Sequence, residues 1–292
     1  MMPTGTVTET AVKTAGTAVP VVESFATAAD QGMGEEFLKH GYVIRDVDRP
    51  DVLEALRHRV VEIACESLGV DLPKDDGEFL NSMHTRLPIS KLNAFRVALY
   101  NLLSSQSWFR PSYFWLAKST LETLVGNELA MQNRVNLSIQ MPNDESSVLD
   151  VHSDTFDAET PFQVVEWLPL VDVYDTKSMF ILPPAANQAV FGSLKQLLEQ
   201  GGPAQVFQEV KDQVVWLRVP YGKVLIFTPN LLHGNIVNRV PETRWSFNGR
   251  FKSLFTPYGG PAKSLGSYYL PITTKVVSRV GMAYRAPKGF DE

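Results

Sequence analysis

The spacing of apolar positions changes several times along the chain, and the changes divide it. Residues 34–47, GEEFLKHGYVIRDV, read as a short helix stopped by Gly41 and followed by a strand from Tyr42 to Val47. Pro50-Asp51 then opens a helix to about Leu68, in which Val52, Leu53, Leu56, Val60, Val61 and Ile63 recur near helical spacing. Phe79 to Leu87 has no clear period and includes His84, read as an ordinary loop histidine or a substrate contact. Helical patterns return over Leu92–Ser105 and Arg110–Val125.

From Met131 to Met141 the period falls to two. Val135, Leu137 and Ile139 share one face of this strand, and Arg134, Asn136, Ser138 and Gln140 share the other. That polar face fits either a pocket wall or a solvent-facing edge. Further strands are predicted over Phe162–Leu170, Ser178–Leu182, Val214–Val219, Lys223–Thr228, Asn235–Val240 and Arg244–Phe255, with Trp167 in the core or a pocket wall. Pro183-Pro184 ends the second of these, and residues 185–213 form a helical insertion broken at Gly201-Gly202-Pro203. The last 35 residues contain Gly259-Gly260-Pro261 and a VVSRVGMAY segment, a C-terminal helix or lid piece.

Helices followed by many short strands predict a mainly β fold with helical additions packed on one face of a small barrel. We expect one domain over 31–292: a helical part 31–128, a strand core 129–258 and an extension 259–292. Residues 1–30, rich in Thr, Ala and Val, read as a flexible tail or loosely attached strand without a secretory or mitochondrial signal. With 292 residues, 44% of them hydrophobic, the chain can build a sizeable core. A net charge of −5 gives no reason to expect nucleic acid or an anionic membrane as partner. The single cysteine, Cys65, cannot form an intramolecular disulfide and fits a reducing compartment, so the cytoplasm is the expected location. No apolar run is long enough to span a bilayer.

Two histidines and a carboxylate carry the candidate chemistry. In VLDVHSDTFD, His152 and Asp154 flank one serine, and on a strand or in a loop that spacing brings both groups to one ion. Two ligands leave a metal underdetermined, and His233, after the apolar run Val224–Phe227, supplies a third. Such a set with open positions opposite suits non-haem Fe(II). A surface His and Asp beside a turn would give the same tripeptide. Eleven residues beyond His233 stands Arg244-Trp245-Ser246, and about 80 residues of strands and turns separate the two histidines.

In these positions the chain resembles the Fe(II)- and 2-oxoglutarate-dependent oxygenases. The resemblance runs from about Phe37 to Tyr258 and looks closest to the phytanoyl-CoA-hydroxylase-like branch of sugar and aminoglycoside gene clusters, such as the streptomycin-biosynthesis oxygenase. It implies a double-stranded β-helix (jelly-roll, cupin-like) core, Fe(II) held by His152, Asp154 and His233, and 2-oxoglutarate and O₂ as co-substrates. Arg244 and Ser246 would hold the far carboxylate of 2-oxoglutarate, with Asn136, Gln140 and Asn235 nearby. The partner implied is a small polar molecule. Related halogenases carry a small residue in place of the carboxylate ligand, so Asp154 argues against halogenation; hydroxylation is the default outcome, with desaturation, ring closure or epimerisation open to the same chemistry. A non-oxidative Zn²⁺ or Mn²⁺ enzyme of the same barrel type, or a sugar-binding jelly-roll without turnover, would fit the metal ligands but leave Arg244 and Ser246 without a task.

Overall fold

The structure is a computed structural model and describes residues 24–289. The expected N-terminal tail lies outside the described residues up to position 23, and from Ala28 the chain is helical. Helix α1 (Ala28–His40) is capped by the Thr27 hydroxyl and stopped by Gly41 at φ 77°, which turns the chain into β1 (Tyr42–Asp46). Helix α2 (Pro50–Leu68) starts at a proline that has no N–H to leave unpaired, and ends at Gly69 in the same left-handed conformation. Then come α3 (Asp76–Asn81), a short turn bearing His84, and α4 (Ile89–Ser104).

The helix expected over Arg110–Val125 is instead two, α5 (Phe109–Trp115) and α6 (Lys118–Leu124). Asp48 makes the break: its N–H takes the Leu116 carbonyl at 2.9 Å, and its carboxylate accepts from the Ser119 N–H at 2.7 Å, satisfying the start of α6.

The strands that follow are β2 (Leu129–Gln132), β3 (Asn136–Gln140), β4 (Val164–Pro169), β5 (Phe180–Ile181), β6 (Val215–Trp216), β7 (Lys223–Phe227), β8 (His233–Gly234), β9 (Arg244–Ser253) and β10 (Tyr269–Thr273). Helices α7 (Pro184–Phe191) and α8 (Leu194–Val210) form the insertion, with α8 broken at Gly201-Gly202 as expected, and α9 (Val276–Ala283) closes the described chain. The large sheet runs β1-β7-β4-β9-β2-β10, with β3 also on β9; the small sheet is β6-β5-β8. Every pairing within them is antiparallel. This is the jelly-roll class expected, although helices hold 43% of the described residues and strands 19%.

Two expected strands differ. Met131–Met141 is split at residues 133–135, where pairing with β9 shifts by two residues between Met131↔Phe251 and Asn136↔Asn248. Over Asn235–Val240 only the preceding His233-Gly234 is paired as a strand, because Asn235 turns its backbone and carboxamide toward Leu149.

Side chains alternate between three layers. Val164 and Leu168 of β4, Val224 and Ile226 of β7, and Trp245, Phe247 and Phe251 of β9 pack with α2–α6 in one core. The opposite faces of the same strands, Val165, Trp167, Leu225 and Phe227, meet Met179, Ile181 and Leu217 between the sheets. Phe180 and Leu182, on the outer side of the small sheet, pack on α7 and α8. The inward face of β9 is polar: Arg244, Ser246, Asn248 and Arg250. Burying that row on a strand lined elsewhere by apolar groups is costly unless each member has a partner or a ligand to meet.

Candidate metal centre and cavity

His152 and His233 face one another across the barrel mouth as an antiparallel bridge, with N–H···O bonds of 3.0 and 2.9 Å exchanged between their backbones. Gly234 makes that approach feasible, since a Cβ there would lie 2.8 Å from the Leu149 carbonyl oxygen. Asp154 leaves the bridge and opens a single 3-10 turn, Asp154–Asp157. The intervening Ser153 points the other way; its hydroxyl donates to the Pro229 carbonyl at 2.9 Å, and the Asp154 N–H reaches the same oxygen at 3.1 Å. One carbonyl therefore anchors the turn that carries the carboxylate.

The three side chains converge. Their ligand atoms all lie within 4.8 Å of one another, with Asp154 Oδ1 at 3.6 Å from His152 Nε2 and 4.0 Å from His233 Nε2. Each imidazole uses Nδ1 on a backbone carbonyl two residues upstream, Asp150 at 2.7 Å and Leu231 at 2.8 Å. Nδ1 is thus the protonated nitrogen, and both Nε2 lone pairs are free for an ion. Burial, reinforced by the neighbouring His152, pushes the His233 pKa down to about 4, which keeps that ring neutral. Burial also opposes a charge on His152, but the nearby Asp154 carboxylate and the hydrogen bond to the Asp150 carbonyl outweigh it and raise the pKa. Burial would raise the Asp154 pKa; His152, Arg250 and His233 together hold it well below the usual carboxylate range.

The centre opens into a cavity of about 590 Å³ whose walls include Asn136, Ser138, Trp167, Asn235, Arg244, Asn248 and Arg250. Arg244 is buried, donates to the Ser138 hydroxyl at 3.1 Å and the Ser178 carbonyl at 3.3 Å, and has no partner for Nε. No carboxylate among the described residues pairs with it, and burial alone lowers its pKa to about 10. Ser246, beside it on β9, is fully buried with an unpartnered hydroxyl.

The remaining candidates are placed differently. Asn136 lines the cavity, with its amide on Asn248 Oδ1 at 2.9 Å. Asn235 also lines it, but its carboxamide binds Leu149 and Ser147 and so fixes the rim loop. Gln140 and Ser246 are outside the lining; the Gln140 amide donates to the Ile236 carbonyl at 2.7 Å. His84 sits away from the cavity, on the Thr243 hydroxyl at 3.0 Å. Sequence reasoning missed Arg250, whose guanidinium reaches Asp154 Oδ2 at 2.7 Å. The signal was present in the parity of β9, which places residue 250 on the same face as 244, 246 and 248.

No family model and no curated protein matches the chain. Among solved structures, the non-haem monooxygenase ThoJ in its nickel complex superposes with a TM-score of 0.51 at 15% identity, over 89% of this chain and 91% of that one. HygX from Streptomyces hygroscopicus, with nickel and 2-oxoglutarate bound, gives 0.50 at 14% identity, over 80% of this chain and 89% of that one. The fold is shared. At these identities the likeness speaks for the fold alone, and the chemistry rests on this chain's own residues. Among the described residues no helix is long and apolar enough to cross a membrane.

Proposed function

We propose that this protein is an Fe(II)- and 2-oxoglutarate-dependent oxygenase that oxidises a C–H bond of a small polar metabolite of sugar or aminocyclitol type, with hydroxylation as the default outcome. The observation that carries the reading is Arg244, a buried guanidinium without a carboxylate, in the same cavity as two histidines and an aspartate whose free donor atoms converge. A buried charge in that state is expensive unless a ligand supplies the missing anion.

The donor set fits the metal. Two neutral imidazoles and one carboxylate would hold Fe(II) and leave positions open. Bound iron would supply O₂ activation coupled to conversion of 2-oxoglutarate into succinate and CO₂. Arg244 would hold the far carboxylate of 2-oxoglutarate with a planar, permanently charged fork, while Ser246, on the same strand face, is buried beside it outside the cavity lining. Asn136, Asn248 and the Ser146-Ser147 rim offer hydrogen bonds to hydroxyl-bearing substrates, while Trp167, Phe227 and Met179 keep part of the wall apolar. As a metal ligand, Asp154 would take the position that a halide would need.

The reading predicts that 2-oxoglutarate binds the Fe(II)-loaded protein much more tightly than the metal-free protein, measured by calorimetry without oxygen. Equal affinity in the two states would show that the triad and Arg244 do not serve one ligand.

A further inference from the structure

The carboxylate of Asp154 has two oxygens, and the torsion that exchanges them is soft. Here one is already taken. Arg250 donates to Oδ2 through Nε at 3.0 Å and Nη2 at 2.7 Å, which leaves Oδ1 as the atom turned to the two histidines. Arg250 is itself held from behind. Its Nη1 reaches Gln132 Oε1 at 3.2 Å, and its Nε lies 3.8 Å from Glu159 Oε1.

Glu159 is almost fully buried and is tied to the C-terminal segment. Lys263 Nζ stands 3.0 Å from its Oε1, and the Tyr269 hydroxyl lies 2.8 Å from its Oε2 and 2.6 Å from Gln163 Oε1, its one proton shared between the two acceptors. Tyr269 belongs to β10 and is the register partner of Gln132, so both supports of Arg250 meet at one strand pair. The backbone adds a clasp: the Gly260 N–H binds the Ala158 carbonyl at 3.1 Å, and a Cβ at Gly259 would lie 2.1 Å from that oxygen. Ala158, in the left-handed region at φ 59°, ends the turn that carries Asp154.

We propose that Arg250 is a positioning residue that confines Asp154 to a metal contact through Oδ1 alone, and that the C-terminal segment, through Lys263, Tyr269 and Glu159, is the outer part of that support. The inference rests on the triad as a metal site and is independent of oxygen chemistry. Supports of this kind set ligand orientation, and their loss typically lowers metal affinity about 10- to 100-fold.

The test titrates metal-free protein with Ni(II) by calorimetry and records the ligand-field spectrum of the Co(II) form. Arg250→Gln should weaken Ni(II) binding roughly 10- to 100-fold. It should also change the Co(II) spectrum, because a freed Oδ2 lets Asp154 chelate through both oxygens. Arg250→Lys, which keeps the charge on Oδ2, should restore part of the affinity. Tyr269→Phe removes one hydroxyl from Glu159 and should cost about 2- to 10-fold, the worth of one hydrogen bond, and it covers the case in which Arg250→Gln fails to fold. Wild-type affinity and an unchanged Co(II) spectrum in Arg250→Gln, or unaltered affinity in Tyr269→Phe, would overturn the proposal. Tight Ni(II) binding by the wild type without any succinate formation would defeat the oxygenase reading and leave this one standing. A wild type that binds no Ni(II) would overturn both.

Discussion

Arg244 keeps its charge in a buried position where neither Ser138 nor the Ser178 carbonyl can neutralise it. Replacing it by lysine retains the charge but exchanges a fork for a point. Loss of one charge-assisted hydrogen bond is worth about 1.5–3 kcal/mol, so Arg244→Lys should raise the apparent KM for 2-oxoglutarate roughly 10- to 150-fold and that for the main substrate much less. Titration of 2-oxoglutarate against both proteins checks this, and equal values would remove Arg244 from the role. At this scale the sequence was informative where residue type and spacing suffice. His152 and Asp154 are two apart, and the Arg-x-Ser follows His233 at a fixed distance. It was uninformative where a role depends on which neighbour a side chain meets. Asn235 and Gln140 are amides of the right kind near the right place, yet their hydrogen bonds go to backbone groups of adjoining segments. The role of Arg250 depends on a partner 96 residues away in the chain, which local spacing does not show.

The two histidines come together through strand pairing, so the elements that hold β8 against residues 149–152 should control the metal site without touching the ion. Gly234→Ala places a methyl group 2.8 Å from the Leu149 carbonyl oxygen and 3.2 Å from the Asp150 carbonyl carbon, contacts that backbone cannot easily yield. Overpacking of this kind costs about 1–3 kcal/mol. The variant should melt at lower temperature and bind metal more weakly, and wild-type behaviour in both would show that the bridge has slack. Most elements were legible because their periods are long and their stops are glycine or proline, as in α2 from Pro50 to Leu68. Elements decided by distant partners were not. Asp48 cuts α5 from α6, the shift at residues 133–135 divides β2 from β3, and β10 exists because β2 offers it an edge. The sequence around Tyr269, with Pro271 inside the strand, has too little alternation to announce it.

Across the described residues the layers follow from alternation, and Glu166 departs from it. Glu166 faces the helical core, fully buried, and neither carboxylate oxygen has a hydrogen-bond partner. Burial, with a small addition from Asp48, raises its pKa well above the ordinary 4.5, so the folded protein holds it as the neutral acid. The unfolded chain releases that proton above about pH 4.5. Stability from this group is therefore complete below that pH and is lost as pH rises toward the folded pKa. Glu166→Gln, neutral at every pH, should melt higher than wild type near pH 7, with the difference shrinking to nothing below pH 4.5. A pH-independent difference would mean that Glu166 is not held neutral. The polar interior of the barrel has a different standing, since its unpaired groups border a cavity and the metal ligands. The central question about the molecule is therefore whether that cavity performs oxidation coupled to 2-oxoglutarate. The most direct measurement incubates the protein with Fe(II), 2-oxoglutarate, oxygen and a panel of sugars and aminocyclitols in chloride buffer, and follows succinate together with product mass. The expected result is Fe(II)-dependent succinate and a substrate heavier by one oxygen or lighter by two hydrogens. A halogenated product would show that Asp154 is off the metal during turnover, and a modified substrate without any succinate would contradict the account.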